Sequence, residues 1–101
     1  MSLNAKVAAY IGFSIKAGKV LYGYESVIAS RKARLILCDQ ALSENSMKKV
    51  RKYAETVKVN VIVVDDLAQY FGGKPIKCIG LVEENLASAT EKELKKVGGS
   101  Y

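Results

Sequence analysis

Apolar positions along this chain change period several times, and each change marks an element. Leu3, Val7, Tyr10, Ile11 and Ile15 recur at spacings of three and four, while Lys6 and Lys16 fall off that stripe. The spacing predicts an amphipathic first helix, stopped at Gly18. Val20-Leu21-Tyr22 then reads as a very short strand, and residues 24–31 as a helix with Val27 and Ile28 facing inward. Arg34 to Cys38 carries an apolar run that predicts a strand buried on both faces. Ser43-Glu44-Asn45-Ser46 offers N-cap side chains for a helix whose stripe is Met47, Val50, Ala54 and Val57. Asn60 to Val64 is a second apolar run, again read as a buried strand. Asp65 or Asp66 is expected to cap a short helix through Phe71, followed by a loop at Gly72-Gly73-Lys74-Pro75. Ile76 to Val82 is the last strand, and Glu83 to Val97 the last helix, closed by Gly98-Gly99.

Strands alternate with helices, and the middle strands are unbroken apolar runs. That pattern predicts a three-layer α/β/α sandwich with a mixed sheet of about four strands and about five helices. At 101 residues the chain is one domain, residues 1–101, with its core over about 5–97. Half of its residues are hydrophobic, enough for a packed core. No apolar run reaches membrane-spanning length, and MSLNAK lacks the apolar stretch of a signal peptide. The expectation is a cytoplasmic monomer with no membrane partner.

Charge sharpens this picture. Residues 1–52 hold ten Lys/Arg against three Asp/Glu, whereas residues 53–101 hold six against seven. A one-sided excess within a total of +6 suits a polyanionic partner. Enzyme and metal chemistry find little support. There is no histidine, so Ser-His and Cys-His pairs are excluded. Cys38 and Cys78 stand alone in apolar runs with no CxxC, which reads as two buried, reduced thiols and no zinc site. No cofactor or metal is expected. Gly72-Gly73-Lys74-Pro75 lacks the first glycine and the Ser/Thr of a phosphate loop. Asp39 with Asp65 and Asp66, all at strand ends, resembles the acidic pocket of a receiver domain, but a helix cap accounts for the pair more simply.

Two turns are candidates for RNA, though each also reads as plain structure: a glycine that turns the chain from strand to helix, and a surface loop with solubilising lysines. Gly23 stands where a helix begins, with Lys19 upstream and Tyr24, Glu25 and Ser26 in the first turn. A glycine there allows close approach, and Tyr24 would stack on a base or reach a phosphate. The second turn, Gly73-Lys74-Pro75-Ile76-Lys77, combines flexibility, two lysines and an apolar wedge suited to an extruded nucleotide. Lys48, Lys49, Arg51 and Lys52 read as a solvated helix face, and Arg31, Lys32 and Arg34 as cations at a helix end.

Several stretches together carry a family resemblance: Ile11-Gly12-Phe13, Lys16-Ala17-Gly18-Lys19-Val20, Gly23-Tyr24-Glu25, Lys32 to Leu37, Ser43-Glu44-Asn45-Ser46, Asp66-Leu67 and Gly72. In order and spacing they resemble the ribosomal-protein family typified by the archaeal large-subunit protein L-seven-Ae, whose members bind kink-turn RNA. The small bacterial YlxQ-like branch is the most similar, over residues from about 5 to 90. The resemblance implies an α/β/α sandwich, a non-enzymatic role, and structured, kink-turn-like RNA and ribosomal proteins as partners. It maps sheared G·A recognition onto Gly23, Tyr24, Glu25 and Ser26, and the flipped-out nucleotide onto Gly73, Lys74, Pro75 and Ile76. Lys19, Lys32, Lys74 and Lys77 would neutralise phosphates. The chain departs from the pattern at Glu25 and Ser26, Ala29, Asp39-Gln40-Ala41, Ala68 and Gly73. Those departures motivate a second expectation, a protein-interaction module of the same fold that has lost specific RNA readout.

Overall fold

The sheet is organised around one strand. β2 (Leu35–Asp39) is buried at all five positions. It pairs in parallel with β3 (Asn60–Val64) on one side and antiparallel with β4 (Cys78–Leu81) on the other. β1 (Val20–Tyr22) adds antiparallel to β4, giving the order β1-β4-β2-β3. The computed structural model describes residues 4–96. Leu3, Val97 and the Gly98-Gly99 stop lie outside the described residues.

Alternating side chains send β2 into two cores. Leu35 and Leu37 meet Ile62, Ile79 and Leu81 on one face, under α1 (Ala5–Lys16) and α4 (Glu84–Lys96). Ile36 and Cys38 meet Val27, Val50 and Ala54 on the other, under α2 (Tyr24–Ser30) and α3 (Glu44–Val57). The predicted three layers and mixed four-stranded sheet are therefore present. Burying each of Leu35, Ile36 and Leu37 completely contributes about 1.5–3 kcal/mol. The fifth predicted helix is a 3₁₀ turn, Leu67–Phe71.

Gly80, in the middle of β4, lets α2 sit close. A Cβ there would lie 3.1 Å from Ala33 Cβ and 3.2 Å from Val27 Cγ2. Ser43 caps α3 as expected, its Oγ accepting from Ser46 N at 3.2 Å. α4 is capped by Glu83, whose carboxylate accepts from Leu86 N at 2.6 Å. Cys38 and Cys78 face each other across β2 and β4 with their sulfurs 3.8 Å apart, both free and buried. That contact holds the Cys38 thiol below its usual range against the pull of burial, with Arg51 assisting, and raises Cys78.

Four sequence expectations need correction. Ile15 is not on the buried stripe of α1; it is 40% exposed, and Ser14 takes that place, its Oγ bonded back to Tyr10 O at 2.9 Å. The burial register thus runs 7, 11, 14, which points Ile15 sideways. β3 is an edge strand with only Ile62 fully buried, because nothing pairs with its outer side among the described residues. β4 starts at Cys78, not Ile76: Pro75 has no N–H, and Ile76 N turns back to Lys74 O at 2.7 Å. Lastly, neither Asp65 nor Asp66 caps the 3₁₀ turn with its side chain. Asp39 does so from across the sheet. Its Oδ2 accepts from Leu67 N at 3.0 Å, and its Oδ1 from Ala41 N at 2.8 Å.

Removing the Asp39 carboxylate strands two backbone donors at a buried site. Asp39→Ala should lower unfolding stability by about 2–4 kcal/mol, while Asp65→Ala and Asp66→Ala should each stay within about 0.5 kcal/mol. Urea denaturation of the three variants distinguishes this arrangement from a cap supplied by Asp65 or Asp66. The Tyr53 hydroxyl is buried without a hydrogen-bond partner. Tyr53→Phe should therefore match wild type or exceed it by up to about 1 kcal/mol in the same assay; a loss would show that the hydroxyl has a partner in solution.

Candidate nucleic-acid interface

Because β1 and β2 run antiparallel to β4, the loops sort to the two ends of the sheet. The Gly23 turn and the Gly72–Lys77 loop share one end. Tyr22 pairs with Ile79, and Gly23 N donates to Cys78 O at 2.8 Å. Lys77 O, next in the chain, accepts from Asp39 N at 2.8 Å. Two segments fifty residues apart in sequence are thus held side by side by one ladder. Gly23 has φ 84° and ψ 148°, a region closed to L side chains. No side chain caps α2, whose first internal bond is Val27 N to Gly23 O at 3.1 Å. The N–H groups of Tyr24, Glu25 and Ser26 therefore stand outside the ladder of the helix.

Beside this junction lies a groove of about 620 Å³, lined by Ile15, Tyr22, Tyr70, Phe71, Lys74 and Ile76. Tyr22 is 47% exposed and meets Phe71 edge to face, with centroids 5.9 Å apart at 73°. Burial pushes the Tyr70 phenol up from its usual value; the Asn4 backbone N–H opposes this and Asp66 adds to it. The phenol is accordingly protonated at neutral pH, so its O–H is a donor. Pro75 and Lys77 are exposed, and Gly73 has φ 82°.

The predicted residues are not all brought together. Gly23, Glu25, Ser26, Gly73, Lys74, Pro75, Ile76 and Lys77 gather at this end. Tyr24 does too, but its ring packs on the α2/α3 core with Lys49 Nζ 5.8 Å from its centroid. Tyr22 is the aromatic left open in its place. Lys19 and Lys32 lie at the opposite end. Val82 N bonds Lys19 O at 3.1 Å, and Arg34 N bonds Leu81 O at 2.7 Å. The length of β4, about 10 Å by strand rise, separates them from Gly23. Sequence reasoning missed Ile15, Tyr22, Tyr70 and Phe71. The one signal for Tyr22 was its place in a strand short enough to be an edge.

Among the described residues, no group of three or more Cys, Asp or Glu is placed to hold a metal ion, and no helix is long and apolar enough to cross a membrane. Both oxygens of Asp39 are engaged by backbone N–H groups. Its role here is structural.

No protein-family model matches the chain, and no curated protein matches it. The fold does have a solved counterpart. A structure of a protein of unknown function from Bacillus halodurans superimposes with a TM-score of 0.83 at 18% identity, over 91% of this chain and 99% of that one. At that identity the likeness speaks to the fold alone.

Gly23→Ala forces a side chain into a strained backbone region although there is space for its methyl. The variant should lose about 1–3 kcal/mol by urea denaturation. The amide of residue 23 should also exchange faster with solvent than in wild type, as its bond to Cys78 O loosens.

Proposed function

We propose that this chain is a non-catalytic, ribosome-associated RNA-binding protein of the cytoplasm that recognises structured, kink-turn-like RNA. The observation that carries this reading is the Gly23 N–Cys78 O bond, which makes one surface of two loops that each look suited to RNA. The resemblance of the chain to the L-seven-Ae family supports it. In this reading Gly23 admits the RNA backbone, and Glu25 and Ser26 face base edges. An extruded nucleotide rests against Pro75 and Ile76, with Tyr22 and Phe71 as the far wall of the groove. Lys74 and Lys77 neutralise phosphates. Tyr24 positions the turn by packing beneath Lys49, and Tyr22 takes the stacking role.

A second reading has its own observation. Phe13, Ile15 and Tyr22 are 55%, 40% and 47% exposed, large apolar side chains that a protein partner, such as a ribosomal protein, would cover. Under that reading the chain keeps the fold without RNA readout.

Titration calorimetry at two salt concentrations separates the readings, using a kink-turn RNA and a straight duplex of equal length. Tighter binding to the kink-turn at both salts is expected. Lys74→Ala with Lys77→Ala should weaken kink-turn binding about tenfold and flatten the log–log salt slope by about 0.9 per lysine. Equal affinity for the two RNAs, or a double variant with unchanged affinity and slope, overturns the proposal.

A further inference from the structure

Six cations gather at the end of the sheet away from Gly23. Three helix-to-strand turns converge there: the one after α1, with Lys16 and Lys19; the one after α2, with Arg31, Lys32 and Arg34; and the one after α3, with Lys58. All six side chains belong to exposed residues. Among the described residues, none of Arg31, Lys32 and Arg34 pairs with a carboxylate. The acids of this end are Glu83, Glu84, Glu91 and, one turn back along α3, Glu55; the Glu83 carboxylate already accepts from Leu86 N, and that of Glu91 accepts from Asn60 Nδ2 and pairs with Lys95. The Gly23 end holds Lys6, Lys48, Lys49, Lys74 and Lys77, set against Glu25, Glu44, Asp65 and Asp66.

The basic end is also concave. Arg31, Lys32 and Arg34 rim a cavity of about 370 Å³ whose floor is Val57, Val59 and Val82. Backbone conformation supplies an independent sign. Arg31 and Lys58 both have φ 59°, and they are the two non-glycine residues with positive φ among those described. Each ends a helix at the position where glycine is preferred because it is unstrained. Two neighbouring helices thus each end on a cation at this end of the sheet, Arg31 on the rim of the cavity and Lys58 between its floor residues Val57 and Val59 in the chain, at a conformational cost that glycine would avoid.

We propose that this rim is a second phosphate-binding surface, which takes the sugar-phosphate backbone of duplex RNA without reading sequence, while the Gly23 end reads shape. The choice of RNA as ligand rests on the functional reading above; the site itself does not use the Gly23 loops. A duplex backbone, with two phosphates per base pair, matches six cations spread over three turns, where a single small anion would engage two or three. A lipid surface fits less well. The apolar floor is recessed below the cations, so it has nothing to insert into a bilayer.

The test uses Arg31→Gly with Lys58→Gly, and separately Lys32→Gln with Arg34→Gln. Binding of a straight RNA duplex is measured at 50 and 200 mM salt, alongside thermal melts of each protein. Glycine relieves both left-handed positions, so the first variant should melt no lower than wild type. It should still bind the straight duplex about tenfold more weakly at 50 mM salt, with the log–log salt slope flattened by about 0.9 per cation removed. The second variant should behave likewise in binding. Duplex affinity unchanged in both variants overturns the proposal, as does wild-type protein that binds phosphatidylserine vesicles but no RNA. Failure of the functional reading looks different. Kink-turn and straight duplex would then bind equally, and both would still weaken in these variants.

Discussion

The position of β4 between β1 and β2 is the constraint on which the rest of this structure depends. Its two edges and the residues flanking it carry bonds that fix loops at both ends of the sheet. At one end, Cys78 O holds Gly23 N and Lys77 O holds Asp39 N; at the other, Leu81 O holds Arg34 N and Val82 N holds Lys19 O. A strand of four residues thereby sets the relation between both candidate surfaces. Gly80 at its centre keeps α2 close to the sheet, and α2 has Gly23 at its start and Arg31 at its end. The helix therefore spans from one end to the other.

Electrostatics separates these surfaces. About 10 Å of strand lies between them, close to the screening length at physiological salt. Charge at the Arg31 end therefore adds little to the local field at Gly23. The Gly23 end, where acids offset lysines, has little general pull on a polyanion. What it offers is shape: a turn that admits a backbone, an aromatic groove and a wedge at Pro75-Ile76. The basic end offers the converse, charge without a constellation of base-reading groups.

Much of the fold was legible in the chain because hydrophobic period is a local signal. Leu35 to Cys38 reads as a strand buried on both faces, and Ser43 as a cap, and each is so in the structure. The errors came where a partner distant in sequence decides. Asp65 and Asp66 look like caps because they adjoin the 3₁₀ turn, but Asp39 reaches Leu67 N across the sheet. Asn60 to Val64 looks central by composition and is an edge by strand order. The candidate site divides in the same way. The residue types of both loops were visible, but their adjacency needs β1 to pair with β4. Lys19 and Lys32 were grouped with Gly23 by nearness in sequence, whereas a strand and a helix carry them to the far end. Tyr24 reads as the stacking residue from its place at a helix start, and Tyr22 only as part of a short strand. Burial reverses that choice, since the ring of Tyr24 packs inward under Lys49.

The departures from the kink-turn pattern take on physical meaning in this arrangement. Glu25 at the start of α2 repels phosphates passing the turn, yet a carboxylate accepts well from a guanine amino group. Under the proposed function it would penalise any RNA that presents only backbone there and favour one that presents an exposed base edge. Gly73, with φ 82°, holds a conformation that an apolar side chain at that position would strain, and the apolar surface of the groove comes from Tyr22, Phe71 and Ile76 instead. A surface built this way gains little from indiscriminate attraction to RNA. Under the proposed function, selectivity would come from what this surface rejects, and the long-range attraction that brings RNA within reach would come from cations elsewhere on the molecule, which would give the Arg31 end and the Gly23 end complementary roles.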